Sequence, residues 1–140
     1  MKILLAIDGS EISLRAVKHV IALAKQLSVP PTVLLTCVDP PLLQGAAAKM
    51  GATAVARYHQ ENFEGMGKGA RRALARAKLA FEDHQHVGEV ASTLLAVAKK
   101  QRVDQIVMGS HGNGPIRGMF LGSVSAKVIA QSPVPVTIVR

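Results

Sequence analysis

The chain has 140 residues, of which 49% are hydrophobic, and we expect a single domain over residues 1–140 with a packed core. The formal net charge is +8, but Lys and Arg are scattered apart from one denser patch at KGARRALARAK (68–78), and only 3% of residues are aromatic, which disfavours a nucleic-acid partner. The first apolar run is too short for a signal peptide, no stretch approaches a membrane span, and Cys37 is the only cysteine, so we expect a cytoplasmic protein without a membrane partner.

The first quarter of the chain alternates strand and helix patterns. The run KILLAI (2–7) is continuously apolar and ends at DGS, which is typical of a strand buried on both faces of a parallel sheet. Ser10 is then placed to cap a helix whose apolar residues recur at helical spacing as far as Leu27. Two prolines end this helix, and TVLLTCV (32–38) is predicted to be the second buried strand.

The middle of the chain is less regular. Glycines interrupt the helix formers of residues 40–65, which we interpret as a mobile loop running into a helix over residues 66–78. Residues 79–87 are predicted to be a weak third strand, and the apolar residues from Val87 to Ala98 fit a further helix. The remaining predicted elements are the strand DQIVMG (104–109), a helix from about Ser123 to Gln131, and a last strand in SPVPVTIVR (132–140).

This alternation predicts an α/β fold with a mostly parallel sheet. In such sheets, ligands bind at the carboxyl ends of the strands, where the strand order reverses. Two segments compete for that position: the DGS turn at Asp8 after the first strand, and a glycine-rich loop that begins at Gly109 after the fourth.

The glycine-rich loop has the character of an anion site. Gly109 and Gly112 allow a ligand to approach the backbone closely, and Gly122 and Ser123 open a helix whose first amides lack partners. The hydroxyl groups of Ser123 and Ser125 add donors. The alternative is a flexible surface loop in which Ser123 is a plain helix cap.

Two familiar phosphate motifs do not fit. GMGKGA (65–70) has Asn62 and Gly69 where a P-loop needs Gly and Ser or Thr, and we interpret it as the start of a helix. GNGPIRG (112–118) has one residue too many for the dinucleotide-binding fingerprint.

The whole chain resembles the universal stress protein family, in particular its ATP-binding subgroup. GSHGNGPIRGMFLGS (109–123) fits the subgroup signature G-x2-G-x9-G-[ST] without a gap, and ILLAIDGSEIS, CVDP and SPVPVTIV occupy the family's first strand, second strand end and last strand. The resemblance implies a three-layer α/β fold with a five-stranded parallel sheet in the order 3-2-1-4-5 and helices on both faces.

The resemblance also implies roles for individual residues. Asp8 would bind the ribose, Ala6 and Ile7 would lie beside the base, and Val38 would contact adenine through its backbone. The phosphates would be bound by the glycine loop and the following helix start, that is by Gly109, Gly112, Gly122, Ser123, Val124 and Ser125. Arg117 is a further candidate for a terminal phosphate, with a solvated arginine as the alternative.

The expected function is that of an ATP-binding stress-response regulator without catalytic residues and without metal ligands from side chains, with ATP bound alone or with Mg²⁺. One alternative is a slow ATPase or phosphotransferase that uses Arg117 and Mg²⁺, and another is a nucleotide-free dimeric interaction module. A homodimer is expected through the last strand, which ends the chain and is apolar, and an unidentified regulatory protein is a further expected partner.

Other reactive residues have simpler interpretations. Asp8 is also compatible with a role as a turn or capping residue, and Cys37 is expected to be a core residue rather than a reactive thiol. His84 and His86 share one face of a strand and are expected to be surface histidines. Arg71, Arg72, Arg76 and Lys78 form a basic helix face that is solvated by default.

Overall fold

A computed structural model describes residues 1–112 and 121–140 of the chain. Its elements in chain order are β1 (Lys2–Ile7), α1 (Glu11–Gln26), β2 (Thr32–Asp39), α2 (Gln44–Met50), α3 (Ala52–Arg76), β3 (Phe81–Val87), α4 (Val90–Gln101), β4 (Gln105–Gly109), α5 (Ser123–Gln131) and β5 (Val136–Val139). In the part of the chain that the structure describes, no helix is both long and apolar enough to cross a membrane.

The strands form one parallel sheet in the order β3-β2-β1-β4-β5, which confirms the predicted fold. Strand β1 lies between β2 and β4. Strands β2 and β3 follow on one side of β1 and strands β4 and β5 on the other, so the strand order reverses between β1 and β4. Ile7 at the end of β1 lies opposite Cys37, and Gly109 at the end of β4 lies opposite Val139. The carboxyl ends of all these strands meet at one edge of the sheet.

Helices cover both faces of the sheet. Helices α1 and α3 pack on one face, and α4 and α5 pack on the other. Neighbouring residues of β1 therefore enter different cores: Leu5 packs with Val17 and Leu74, while Leu4 packs with Leu94 and Val128. Burial on both faces is why β1 is a continuous apolar run rather than an alternating one.

Helix α1 begins as the sequence predicts. The hydroxyl group of Ser10 accepts a hydrogen bond from the Ser13 amide (3.1 Å), which satisfies one of the amides that a helix start leaves unpaired. At the start of α4, the carboxylate of Glu89 accepts from the Ser92 amide (2.7 Å) in the same way.

The prediction for residues 40–65 is wrong. Most of this segment is helical, because α2 covers Gln44–Met50 and α3 already begins at Ala52, 14 residues before the predicted helix. Between them lies Gly51, whose positive φ of 81° separates the two helices. The stretch GMGKGA is thus an interior segment of α3 and not a helix start.

The glycines of this segment persist inside α3 because two of them make room for neighbours. A Cβ on Gly67 would overlap the Arg71 guanidinium, and one on Gly69 would press on the Leu14 side chain of α1. Arg71 donates to Asp83 of β3 (2.5 Å) and also contacts Glu64. Arg71 therefore fixes α3 to an edge strand, whereas the sequence predicts a solvated arginine.

The third strand is confirmed over Phe81–Val87. Its histidines, His84 and His86, lie on one face with their ring centroids 6.2 Å apart, as the spacing predicts. The assignment of Val87 to the following helix is wrong, because Val87 is the last residue of β3 and α4 begins at Val90.

Candidate functional site

A cavity of about 590 Å³ opens where β1, β2 and β4 end. It is lined by Ala6, Ile7, Asp8, Ser13, Thr36, Val38, Pro40, Met66, Val90, Leu94, Met108, Gly109, His111, Gly112, Gly122, Ser123, Val124 and Ser125. The ten residues that are predicted from the sequence to bind a nucleotide are all among them. Arg117 lies outside the described residues.

One side of this cleft is apolar. Ala6, Val38 and Met108 come from three adjacent strands and belong to the core beneath α4 and α5, and Leu94 and Val124 extend the same surface. Met66 of α3 lines the cleft from the other face of the sheet. A space bounded by aliphatic side chains at a sheet edge suits a flat, mainly apolar ring.

The carbonyl group of Val38 faces this space. In β2, the Thr32 amide donates to Met1 of the β1 side (2.9 Å), while the Asp39 carbonyl accepts from Gly88 on the β3 side (3.0 Å). Because main-chain groups of successive strand residues point to opposite sides, those of Val38 point toward β1. Pairing with β1 ends at Ile7 opposite Cys37, so the Val38 carbonyl lies beyond the last paired residue.

Asp8 lies in the turn that follows β1. Its Oδ1 accepts from the Ser10 amide (2.9 Å), and a Cβ on Gly112 would overlap its Oδ2. Gly9 has a positive φ of 82° and lies close to Met66, since a Cβ on Gly9 would be 3.1 Å from the Met66 Cα. Asp8 is therefore a turn residue as well as a cleft residue, with one oxygen engaged and the other at the glycine loop.

Helix α5 also begins at the cleft. Gly122 is its N-cap residue and has no side chain with which to cap the helix, and the Gly122 amide itself donates to the Ser110 carbonyl (2.7 Å). The next three amides, of Ser123, Val124 and Ser125, belong to the first turn, where no acceptor exists within the helix. These amides and the helix dipole favour an anion at this point.

The hydroxyl group of Ser125 has a different role from the one expected. It is buried and donates to the carbonyls of Gly109 and Ser110, both at 3.0 Å. A hydroxyl has one proton to donate, so these contacts fix α5 to the end of β4 and leave the amide as the donor that Ser125 offers. Ser123, in contrast, is exposed at the mouth of the cleft.

Two glycines of the loop are also explained by packing. A Cβ on Gly109 would lie 2.7 Å from Ile12 Cγ2, so glycine lets the first turn of α1 approach the end of β4. A Cβ on Gly122 would lie 3.2 Å from the His111 Cα. Glycine at these positions therefore allows close contacts between backbones, whether or not a ligand is bound.

The cleft carries little charge among its described lining residues. Asp8 and His111 are the two described lining residues with ionisable side chains, and the His111 Nδ1 lies 3.0 Å from the Ser110 hydroxyl. No Lys or Arg of the described part lines the cavity, and no three His, Cys, Asp or Glu side chains of that part come together as a metal site would require. Binding of an anion in this cleft would therefore depend mainly on main-chain amides.

A buried polar cluster beside the cleft was not predicted from the sequence. Asp39, at the end of β2, accepts from His59 Nδ1 (2.6 Å) and from the Asn62 amide group (2.8 Å), and Asp39 and His59 are both less than 8% exposed. This cluster attaches α3 next to Val38. The partners lie 20 and 23 residues from Asp39. His59 and Asn62 are spaced to share one face of a helix, but the sequence predicts a loop over 40–65, so this spacing was not recognised.

Cys37 is buried in the core, as expected. Burial raises the pKa of its thiol to about 12, and the nearby Asp83 carboxylate acts in the same direction. The thiol is therefore protonated at neutral pH and takes no part in the chemistry of the cleft.

A second cavity, of about 460 Å³, lies at the opposite edge of the sheet. It lies between the carboxyl ends of α1 and α3, and its lining includes both Lys25 and Lys78.

Comparison with known proteins gives consistent results along the whole chain. The sequence pattern of the universal stress protein family matches residues 1–140. Universal stress protein YxiE of Bacillus subtilis (strain 168) is 32% identical over 147 residues, which cover 99% of this chain and 98% of that protein. Universal stress protein MJ0577 of Methanocaldococcus jannaschii is 30% identical over 155 residues, with 99% and 94% covered.

Solved structures agree with the fold. The structure of MJ0577 superposes with a TM-score of 0.83 at 28% identity, covering 99% of this chain and 94% of that one. A universal stress protein crystallised in complex with cAMP superposes with a TM-score of 0.65 at 26% identity, covering 100% and 96%.

Proposed function

The chain belongs to the universal stress protein family, and we propose that it binds ATP in the cleft at the ends of β1, β2 and β4 and acts as a nucleotide-dependent stress-response regulator. The observation that carries this proposal is the arrangement of the cleft. An apolar floor, a carboxylate at Asp8 and the uncapped start of α5 line a single cavity at the point where the strand order reverses. The cAMP complex of a relative supports an adenine nucleotide as the ligand class.

The arrangement favours one orientation of the nucleotide. Adenine would lie on the aliphatic floor with its amino group near the Val38 carbonyl, and Asp8 would accept from the ribose hydroxyls through Oδ2. The phosphates would then reach the amides of Ser123, Val124 and Ser125. The described lining offers no carboxylate besides Asp8, so a Mg²⁺ ion would be held mainly by phosphate oxygens and water.

The hydrogen bonds of Ser110 connect the start of α5, where we place the phosphates, to the edge strand β5. Its carbonyl accepts from the Gly122 amide and the Ser125 hydroxyl, and its amide donates to Val139 of β5 (2.8 Å). Phosphates at the start of α5 would therefore act on residues bonded to the edge strand. We propose that nucleotide occupancy alters the pairing of β5 with a second copy or with a regulatory protein.

Two measurements test the proposed function. Mass spectrometry of nucleotide extracted from freshly purified protein should detect ATP, and calorimetry of nucleotide-depleted protein should give saturable binding of ATP with one site per chain. Absence of both would refute the proposal. Turnover of labelled ATP distinguishes the regulator from the slow ATPase, since the regulator should release unchanged ATP on denaturation.

A further inference from the structure

We propose that α1 and α3 together form a cationic face that binds the phosphate backbone of double-stranded nucleic acid, independently of the nucleotide cleft. The basis is an uneven distribution of charge. Residues 12–38 and 65–81 contain no Asp or Glu, although they include the last four turns of α1 and the last three turns of α3. We call the exposed cations of these two segments that form no ion pair the α1–α3 basic face; they are Lys18, Lys25, Lys68, Arg72, Arg76 and Lys78.

The fold brings these two segments together. Helices α1 and α3 pack side by side on one face of the sheet, and a Cβ on Gly69 would touch Leu14. Ala70 and Leu74 are buried against the sheet, so the intervening Arg72 points away from it on the opposite side of α3. The cations of α1 and those that follow α3 reach the same end of the molecule, because Lys25 and Lys78 line one cavity.

The six cations take no part in the ion pairs of the described structure. Arg15 pairs with Glu11 and Arg71 pairs with Asp83, but no member of the basic face forms an ion pair with any described residue. No acid within segments 12–38 and 65–81 offsets these cations, although Glu82 lines the same cavity as Lys25 and Lys78 and Glu11 lies within electrostatic reach of Lys18. Such a face raises the local concentration of an anionic partner.

The shape of the face favours a linear polyanion. Lys68, Arg72 and Arg76 follow one another at four-residue intervals, about 6 Å each, so the row is about 12 Å long, and a neighbouring helix lies about 8–10 Å away. Duplex DNA carries one charge per about 1.7 Å of its axis, so a duplex along this face presents several phosphates to each row. None of the exposed large hydrophobic side chains lies within the basic face, as insertion into a lipid surface would require.

Two features of the sequence disfavour nucleic acid, and the fold weakens the first, which is the scatter of Lys and Arg. Four of the six cations lie together in residues 68–78, and α1, which carries Lys18 and Lys25, packs beside α3. The second reason, the scarcity of aromatic residues, concerns stacking on single strands, whereas binding to duplex phosphates needs only positive charge.

Fluorescence anisotropy with a labelled duplex of about 20 base pairs, at salt concentrations from about 50 to 200 mM, tests the proposal. Six contacts predict that log K falls with log salt concentration with a slope of about −5, from about 0.9 per phosphate. In the triple variant K18E/K68E/R72E, binding should weaken at least tenfold at the lowest salt, and the slope should shrink by about 2.7. The neutral variant K18Q/K68Q/R72Q should show the same change in slope. It replaces the charge-reversed variant as the test if charge reversal harms folding.

The variant K49E/K99E/K100E is the matched control, because it removes the same charge from exposed lysines outside the basic face. It should keep the slope of the parent protein, and all variants should bind ATP equally. An equal loss in both triple variants would overturn the proposal, since net charge alone would then explain binding. Failure of the parent to bind the duplex would also overturn it, as would binding only to anionic phosphatidylserine vesicles.

Discussion

Gly112 lies directly against the carboxylate of Asp8, so that a Cβ on Gly112 would overlap the Asp8 Oδ2 atom. This contact joins the loop after β4 to the turn after β1, across the point where the strand order reverses. The two segments that compete for the ligand position in the sequence thus form one site. The same carboxylate holds the Ser10 amide through Oδ1, so its position is sensitive to changes on the Gly112 side.

Gly112→Ala should weaken ATP binding about tenfold or more. The added methyl group would displace the Asp8 carboxylate from the proposed ribose position, and losing a hydrogen bond to a charged group costs about 1.5–3 kcal/mol. Calorimetry measures the affinity. Gly45→Ala is the control, because a Cβ there meets nothing within 4 Å and Gly45 does not line the cleft. Unchanged affinity in Gly112→Ala would show that this contact does not shape the ligand site.

Asp8→Asn should separate the two roles of this residue. The asparagine keeps an acceptor for the Ser10 amide, so thermal stability should remain close to that of the parent. ATP binding should weaken by about 1–3 kcal/mol, because one carboxylate acceptor for the ribose is lost. The parent should discriminate ATP from its 2′,3′-dideoxy analogue, and the variant should discriminate less. Equal affinity of the parent for both nucleotides would show that Asp8 does not bind the ribose.

Asp39→Ala should lower the free energy of unfolding by about 3 kcal/mol. The change would leave the buried donors of His59 and Asn62 without their common acceptor, and breaking a buried pair by removing one partner is strongly destabilising. Urea denaturation measures the effect. Glu82→Ala removes an exposed carboxylate and should stay within about 0.5 kcal/mol of the parent. A similar small effect in both variants would mean that α3 is held mainly by its apolar contacts.

Cys37 should resist thiol reagents in the folded protein near pH 8 and react promptly in denaturant, since burial raises its pKa to about 12. The raised pKa also contributes to stability, and the sign follows from proton uptake. The folded protein keeps the thiol proton above pH 9, where an unfolded thiol loses it, so this contribution is complete below about pH 9 and declines as the pH rises toward 12. Cys37→Ala should show a weaker decline over that range. Rapid native labelling would contradict the buried, protonated thiol.

Much of the fold could be predicted from the sequence because its signals are local. The continuous apolar run of β1, the Ser10 cap of α1 and the helix start at Ser123 are each contained in a few neighbouring residues. The grouping of the cleft residues could be predicted because parallel strands bring their carboxyl ends to one edge.

The remaining features depend on contacts between distant residues. Glycines at 65, 67 and 69 resemble a break in a helix, yet α3 continues through them because the spaces beside Gly67 and Gly69 are filled by Arg71 and Leu14. The Asp39 cluster likewise needs α3 in place before His59 approaches β2. No local pattern reports such pairs, which is why the sequence predicts a loop where the structure has a helix.

The last prediction is a homodimer formed through β5, the edge strand next to β4. The carbonyls of Pro135 and Val139 accept from β4, so the alternating backbone directs Thr137 toward β4 as well and leaves the N–H and C=O groups of Val136 and Ile138 facing outward. An apolar edge with unpaired main-chain groups favours pairing with a second copy about a two-fold axis. Sedimentation at micromolar concentration should give twice the chain mass of 14.8 kDa. Val136→Pro removes one outward donor and should yield a folded monomer, whereas Thr137→Pro removes a donor to β4 and should lower stability. A parent that sediments as a monomer would exclude the dimer, and a dimeric Val136→Pro variant would move the interface to another surface.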